Sequence, residues 1–220
     1  MSKQTQRRLA VASRRLVAAL ALVAVTAFVT NAVVTKAGDE PRKSRHEEEM
    51  AEWVMANQKT PMHEKLKLFV GEWDCKCTMY EEGRPPQTSK AESDAHLVYD
   101  GRYVRQSYKG SFDAPGPDGK PQKYTFEGYG VIGYDTIKKK FVSNWIDSMS
   151  TGIYGETGEW DEANHQFIFH GEMTKPNGST CVNRSTLKFT SKDRYVFTME
   201  EKQESGAWSR HMEIVYDRDD

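Results

Sequence analysis

The chain has 220 residues and a formal net charge of −1, with 31 Lys and Arg against 32 Asp and Glu. So even a balance gives no electrostatic grip on a phosphate backbone, and nucleic acid is excluded as a partner class. Aromatic residues are 11% of the chain and fall at strand positions rather than in a basic patch, which points to a core or a pocket.

The N-terminus has a composition of its own. Arg7, Arg8, Arg14 and Arg15 precede an uncharged, mostly apolar run from Leu16 to Val34. A basic segment followed by an apolar one is an export signal. At ~1.5 Å rise per residue an apolar helix over 16–34 spans nearly ~30 Å, enough to cross a bilayer core. Small residues ending at Ala27, Ala32 and Ala37 offer imperfect cleavage sites. Two readings of residues 1–37 therefore stand, a signal peptide or a single membrane anchor. In both, the positive charges stay in the cytoplasm and the rest crosses. Ser13-Arg14-Arg15-Leu16-Val17 also resembles a twin-arginine export signal. The expected location is outside the cytoplasm, either periplasmic or held at the inner membrane through residues 16–34.

Residues 38–60 read as a linker and a short helix. Ser44 is an N-cap with Glu47 three residues on, the spacing of a capping box. Met50, Trp53 and Val54 then form one apolar stripe. Thr60-Pro61 begins a second helix, with Leu66, Phe69 and Val70 on one stripe and Gly71 as its stop.

From Trp73 the period changes to two. Trp73, Cys75, Cys77 and Met79 alternate with Asp74, Lys76, Thr78 and Tyr80. Strands follow near 88–99 and 102–112, with Asp100-Gly101 as a tight hairpin between them. Residues 113–122 are nearly all turn formers and predict the longest loop. Further strands are predicted near 123–135, 140–148, 152–160, 165–174, 179–190, 194–204 and 207–216. Links this short force antiparallel neighbours. A meander so long closes on itself rather than leaving two edges. The expected fold is all-β, an antiparallel up-and-down barrel of about ten strands over 61–217. The N-terminal apolar helix and two short helices precede it. A β-sandwich is the competing architecture, but its longer crossing connections are missing outside 113–122. Gly128, Gly130 and Gly133 inside one strand pattern, and Gly152, Gly155 and Gly158 inside another, suggest bulges, tight bends or close backbone approach, as at barrel corners.

Certain segments resemble a known family. They are His63-Glu64-Lys65-Leu66, Phe69-Val70-Gly71-Glu72-Trp73, Gly128 to Asp135 (GYGVIGYD) and Trp145 to Gly152 (WIDSMSTG). Together they are similar to domain of unknown function 1579, a bacterial family of lipocalin-like barrels. The Gly-x-Trp pair at Gly71 and Trp73 is also how lipocalin-type barrels often open. The resemblance implies a fold and no activity.

The segment 141–152 is the richest in polar groups among apolar ones. Alternation puts Phe141, Ser143, Trp145 and Asp147 on one face. If that face lines the lumen, these four are ligand-binding residues, with Trp145 as a wall and Asp147 and Ser143 as polar anchors. The competing reading makes Asp147 and Ser148 strand-end turn residues bonded to local backbone. Gly71 and Trp73 are assigned structural places at the closed end. Cys75 and Cys77 share a strand face and Cys181 stands alone, a set without the fourth partner of a zinc site. Three buried thiols is the plain reading, and a bridge from Cys181 is the other. No cofactor is expected. A haem held by His170, His211 or His96 is the alternative. Glu156, Glu159, Glu172, Glu200 and Glu201 read as a solvated outer face. The expected function is binding of a small apolar or amphipathic ligand without catalysis. Its alternatives are a haem-dependent or Asp147-using enzyme, and a ligand-free structural envelope protein.

Overall fold

The structure is a computed structural model that describes residues 44–175 and 177–219. The predicted signal peptide or anchor, the apolar helix at 16–34 and the cleavage sites lie outside the described residues. The chain divides between Glu49 and Met50, and the barrel lies in the second part.

Helix α1 (Arg45–Ala56) begins where the capping box places it. The Ser44 backbone N–H donates to Glu47 Oε2 at 2.7 Å, and the Glu47 N–H donates to Ser44 Oγ at 3.3 Å. Its apolar stripe of Met50, Trp53 and Val54 is exposed.

The second helix is a 3-10 helix, Pro61–Phe69. Three residues per turn put His63, Leu66 and Phe69 in one buried line, and Val70 drops out of the predicted stripe. His63 Nδ1 accepts the Thr60 N–H at 3.0 Å. Burial holds its imidazole below the ordinary histidine value.

Ten antiparallel strands close into a barrel in simple chain order. They are β1 (Gly71–Met79), β2 (Gln87–Val98), β3 (Tyr103–Pro115), β4 (Pro121–Asp135), β5 (Lys140–Asp147), β6 (Tyr154–Asp161), β7 (Gln166–Thr174), β8 (Thr180–Ser191), β9 (Arg194–Lys202) and β10 (Trp208–Arg218). Pairing of β1 with β10, Trp73 opposite Arg218 through Met79 opposite Met212, shuts the seam. No edge remains to recruit another strand. The loop predicted over 113–122 is shorter. Strands β3 and β4 continue to Pro115 opposite Pro121, so their ribbon carries the turn-forming residues.

The two ends of the barrel differ. At one, Phe69 and Leu66 of the 3-10 helix pack among Phe141, Phe167, Phe189 and Tyr195, all at most 5% exposed. Phe69 lies 5.1 Å from Phe167 and 5.3 Å from Phe189, ring to ring. This end is filled. Gly71 opens β1 there, and the Trp73 indole N–H donates to the Phe69 carbonyl at 2.9 Å.

Candidate functional site

Several inward side chains at the other end keep partial solvent access. They include Phe126 on β4, Trp145 on β5 and Tyr154 and Glu156 on β6. Their shared face follows from register: Trp145 opposes Gly130 and Tyr154, and Ser143 opposes Ile132 and Glu156.

Trp145 explains two glycines. A methyl group at Gly128 would lie 2.0 Å from the indole, and one at Gly130 would lie 2.8 Å from it. The glycines clear a bed on β4 on which the ring lies flat. Of the roles expected at Gly128 and Gly130, close approach to the backbone is the one the Trp145 ring takes up. Among the other predicted ligand-binding residues, Phe141 has no exposed surface and belongs to the filled end. Ser143 is half-buried opposite Glu156. Asp147 and Ser148 make the local bonds of a strand-end turn. Asp147 Oδ1 accepts the Met149 N–H at 2.8 Å, and Ser148 Oγ accepts the Glu127 N–H at 3.1 Å. Asp147 also lines a groove of about 670 Å³ on the outer wall. That groove lies between outward side chains such as Asp74, Glu92 and Glu127 on one side and Glu72, Asp94 and Tyr129 on the other.

The densest polar group in the lumen is one the expected outer carboxylates concealed. Glu156 does not face solvent with Glu159. It points inward, because Tyr154, Glu156, Gly158 and Trp160 share the buried parity of β6. Glu156 Oε1 accepts the Tyr154 hydroxyl at 2.9 Å and the Ser185 hydroxyl at 2.6 Å. Ser185 has no exposed surface and Asn183 has 1%. Burial, with the Glu156 carboxylate beside it, pushes the Tyr154 phenol well above its ordinary value, and Asn183 nearby pulls it partly back. The Asn183 Oδ1 is buried without a partner. Among the described residues no cation pairs with Glu156. Lys175 is engaged by Glu201, Arg184 by Glu200 and Arg210 by Glu213.

Burial is the largest cause that raises the Glu156 carboxyl above its ordinary 4.5, and the Ser185 and Tyr154 bonds pull it partly back. The sign of the linkage follows. A carboxyl raised on folding favours the folded state below 4.5, and that contribution is lost as pH rises through the folded value. Glu156→Gln keeps the acceptor for both hydroxyls and removes the charge. It should raise Tm by about 2–4 °C near neutral pH, the response of a domain this size to about 1 kcal/mol. The two proteins should converge below the ordinary carboxylate range. Thermal melts across pH 4 to 8 check this, and an unchanged or lowered Tm at pH 8 would refute it.

His96 and His170 stand on the outer wall, His96 beside Asp94 at 3.3 Å and His170 over the Trp208 ring at 6.1 Å. His211 occupies a bulge in β10, its Nδ1 buried and without a partner. Burial holds this imidazole below its ordinary value. Cys75, Cys77 and Cys181 are free and buried, and burial pushes the Cys75 and Cys77 thiols up.

The sequence model described as "Protein of unknown function (DUF1579)" matches residues 58–218. Among solved structures, the chain is similar to the S-type phycobiliprotein lyase CPES from Guillardia theta. The identity is 13% and the TM-score 0.47, over 77% of this chain and 97% of that one. It is also similar to Rv2717c from M. tuberculosis at 13% identity and a TM-score of 0.50, over 74% and 100% of the two chains. At that identity the likeness is one of fold alone. No curated protein matches.

Proposed function

Given that the chain belongs to the DUF1579 family, with most of its length matched, we propose that its barrel binds a small apolar or amphipathic molecule in the open end of the lumen. The carrying observation is the asymmetry of the two ends. One is packed to exclusion with aromatic rings, while the other keeps Trp145, Tyr154 and Glu156 inward and partly accessible. An apolar wall with a few placed polar groups is the usual make-up of a small-molecule site. Trp145 supplies the wall, and Tyr154 and Glu156 supply the polar end.

Native mass spectrometry of freshly purified protein tests the reading. The expected result is an adduct that leaves on unfolding and is reduced in Trp145→Ala. Bare protein that also fails to take up added n-octanol would overturn it.

The same proposal places the barrel outside the cytoplasm, free or tethered through residues 16–34. The arginine-flanked apolar run supports this. Among the described residues no helix is long and apolar enough to cross a membrane. A reporter fused after Asp220 should be active outside the cytoplasm, and activity inside would refute the assignment.

A further inference from the structure

The lumen has a chemical bias beyond being apolar. In the Tyr154, Glu156, Ser185 and Asn183 group, the donors are already used. Tyr154 and Ser185 both donate to Glu156 Oε1, and the Asn183 amide donates weakly, at 3.9 Å, toward Cys181 Sγ. What remains is a pair of acceptors. Asn183 Oδ1 is buried and unpartnered. Glu156 Oε2 makes no hydrogen bond among the described residues. Glu156 itself is half-buried. A buried acceptor without a donor is unfavourable, and a buried carboxylate without a cation more so.

Among the described residues no basic side chain supplies that cation to Glu156. The basic side chains of the neighbouring strands are held elsewhere, Lys175 by Glu201 at 2.6 Å and Arg184 by Glu200 at 2.7 Å. The other partly accessible groups around the carboxylate are Ser143, opposite it on β5, and the aromatic Trp145 and Tyr154, with Phe126 beyond. Aromatic faces attract cations and tolerate an apolar body. An anionic ligand would meet a carboxylate and an unpaired carbonyl. A neutral alcohol would answer one acceptor and leave the charge uncompensated.

From this arrangement we infer that the lumen selects a primary amine carried on an apolar body, its ammonium group seated on Glu156 Oε2. The inference rests on the lumen being a binding site. It adds the class of ligand, an organic cation, and names Glu156 as the residue that chooses it.

Three probes of equal chain length separate the two claims: n-octylamine, n-octanol and sodium octanoate, titrated into the full chain by calorimetry at neutral pH. Octylamine should bind about tenfold more tightly than octanol, and octanoate should be weakest, because a charge-assisted bond at a partly desolvated site is worth at least that ratio. Glu156→Gln should bring octylamine and octanol to parity while leaving octanol unchanged. Glu159→Gln, on the outer wall beside Lys140, should leave the preference intact. Octanol and octanoate binding as well as the amine would overturn the amine inference and leave the lumen reading standing. So would an amine preference that survives Glu156→Gln. If none of the three binds, both readings fall.

Discussion

Replacing Trp73 with alanine should lower stability by about 3–5 kcal/mol, the range for truncating a buried aromatic side chain. Trp73 is 2% exposed and sits at the junction between the 3-10 helix and the first strand. Its ring meets Tyr195 edge-on at 4.8 Å, and the Arg218 guanidinium lies 4.2 Å above it. Its indole N–H is the donor to the Phe69 carbonyl at 2.9 Å. Truncation therefore opens a cavity, removes two specific ring contacts and leaves a buried carbonyl without that donor. Arg218 also donates to the Val70 carbonyl at 2.8 Å, so β10 and the start of β1 are tied through the same spot. Urea unfolding should show a lower midpoint with an unchanged slope. A loss below about 1 kcal/mol would mean that the plug and the barrel are not coupled through this ring.

Gly158→Ala should be nearly as damaging, for the opposite reason. The added methyl would lie 2.3 Å from the Ile168 carbonyl oxygen and 2.8 Å from the Phe169 Cα. Both obstacles are backbone on β7, so no rotamer change relieves them. Phe169 is 1% exposed, and Phe141, which opposes Gly158 on β5, is fully buried. Neither side has room to yield. Overpacking typically costs 1–3 kcal/mol, and a backbone clash belongs at or above the top of that range. At about 3 kcal/mol, Tm should fall by roughly 6–12 °C. Gly152→Ala is the matched control. It meets nothing within 4 Å and should melt with the parent protein. Equal melting of Gly158→Ala and Gly152→Ala would refute the packing argument.

Stability and binding pull against each other at Glu156. The residue that makes the lumen costlier to fold at neutral pH is the one argued to select its ligand. Loss of the charge should therefore stabilise the protein and abolish the preference for an amine, a common relation between a buried polar site and its scaffold.

The ten strands, their order and their closure were legible in the chain itself. Period-two alternation marks each strand, and short turns leave antiparallel neighbours as the remaining option. The capping box at Ser44 and Glu47 is local chemistry and was equally readable. Other features were decided by tertiary packing. The 61–70 stripe suits either helix type at its first two positions, and packing against the barrel end selected three residues per turn. The turn formers at 113–122 were drawn partly into strands because β3 and β4 continue as a ribbon. The place of Glu156 was readable in part, since its parity matches Tyr154 and Trp160. Composition argued the other way, because a strand carboxylate is normally outside. The hydroxyls that hold it come from its own strand and from β8, some thirty residues on. Alternation sorts side chains by face, but contacts across the lumen exist only once the sheet has closed. The sequence alone therefore determined a closed barrel, and the tertiary structure decided which end is shut and which carboxylate faces in.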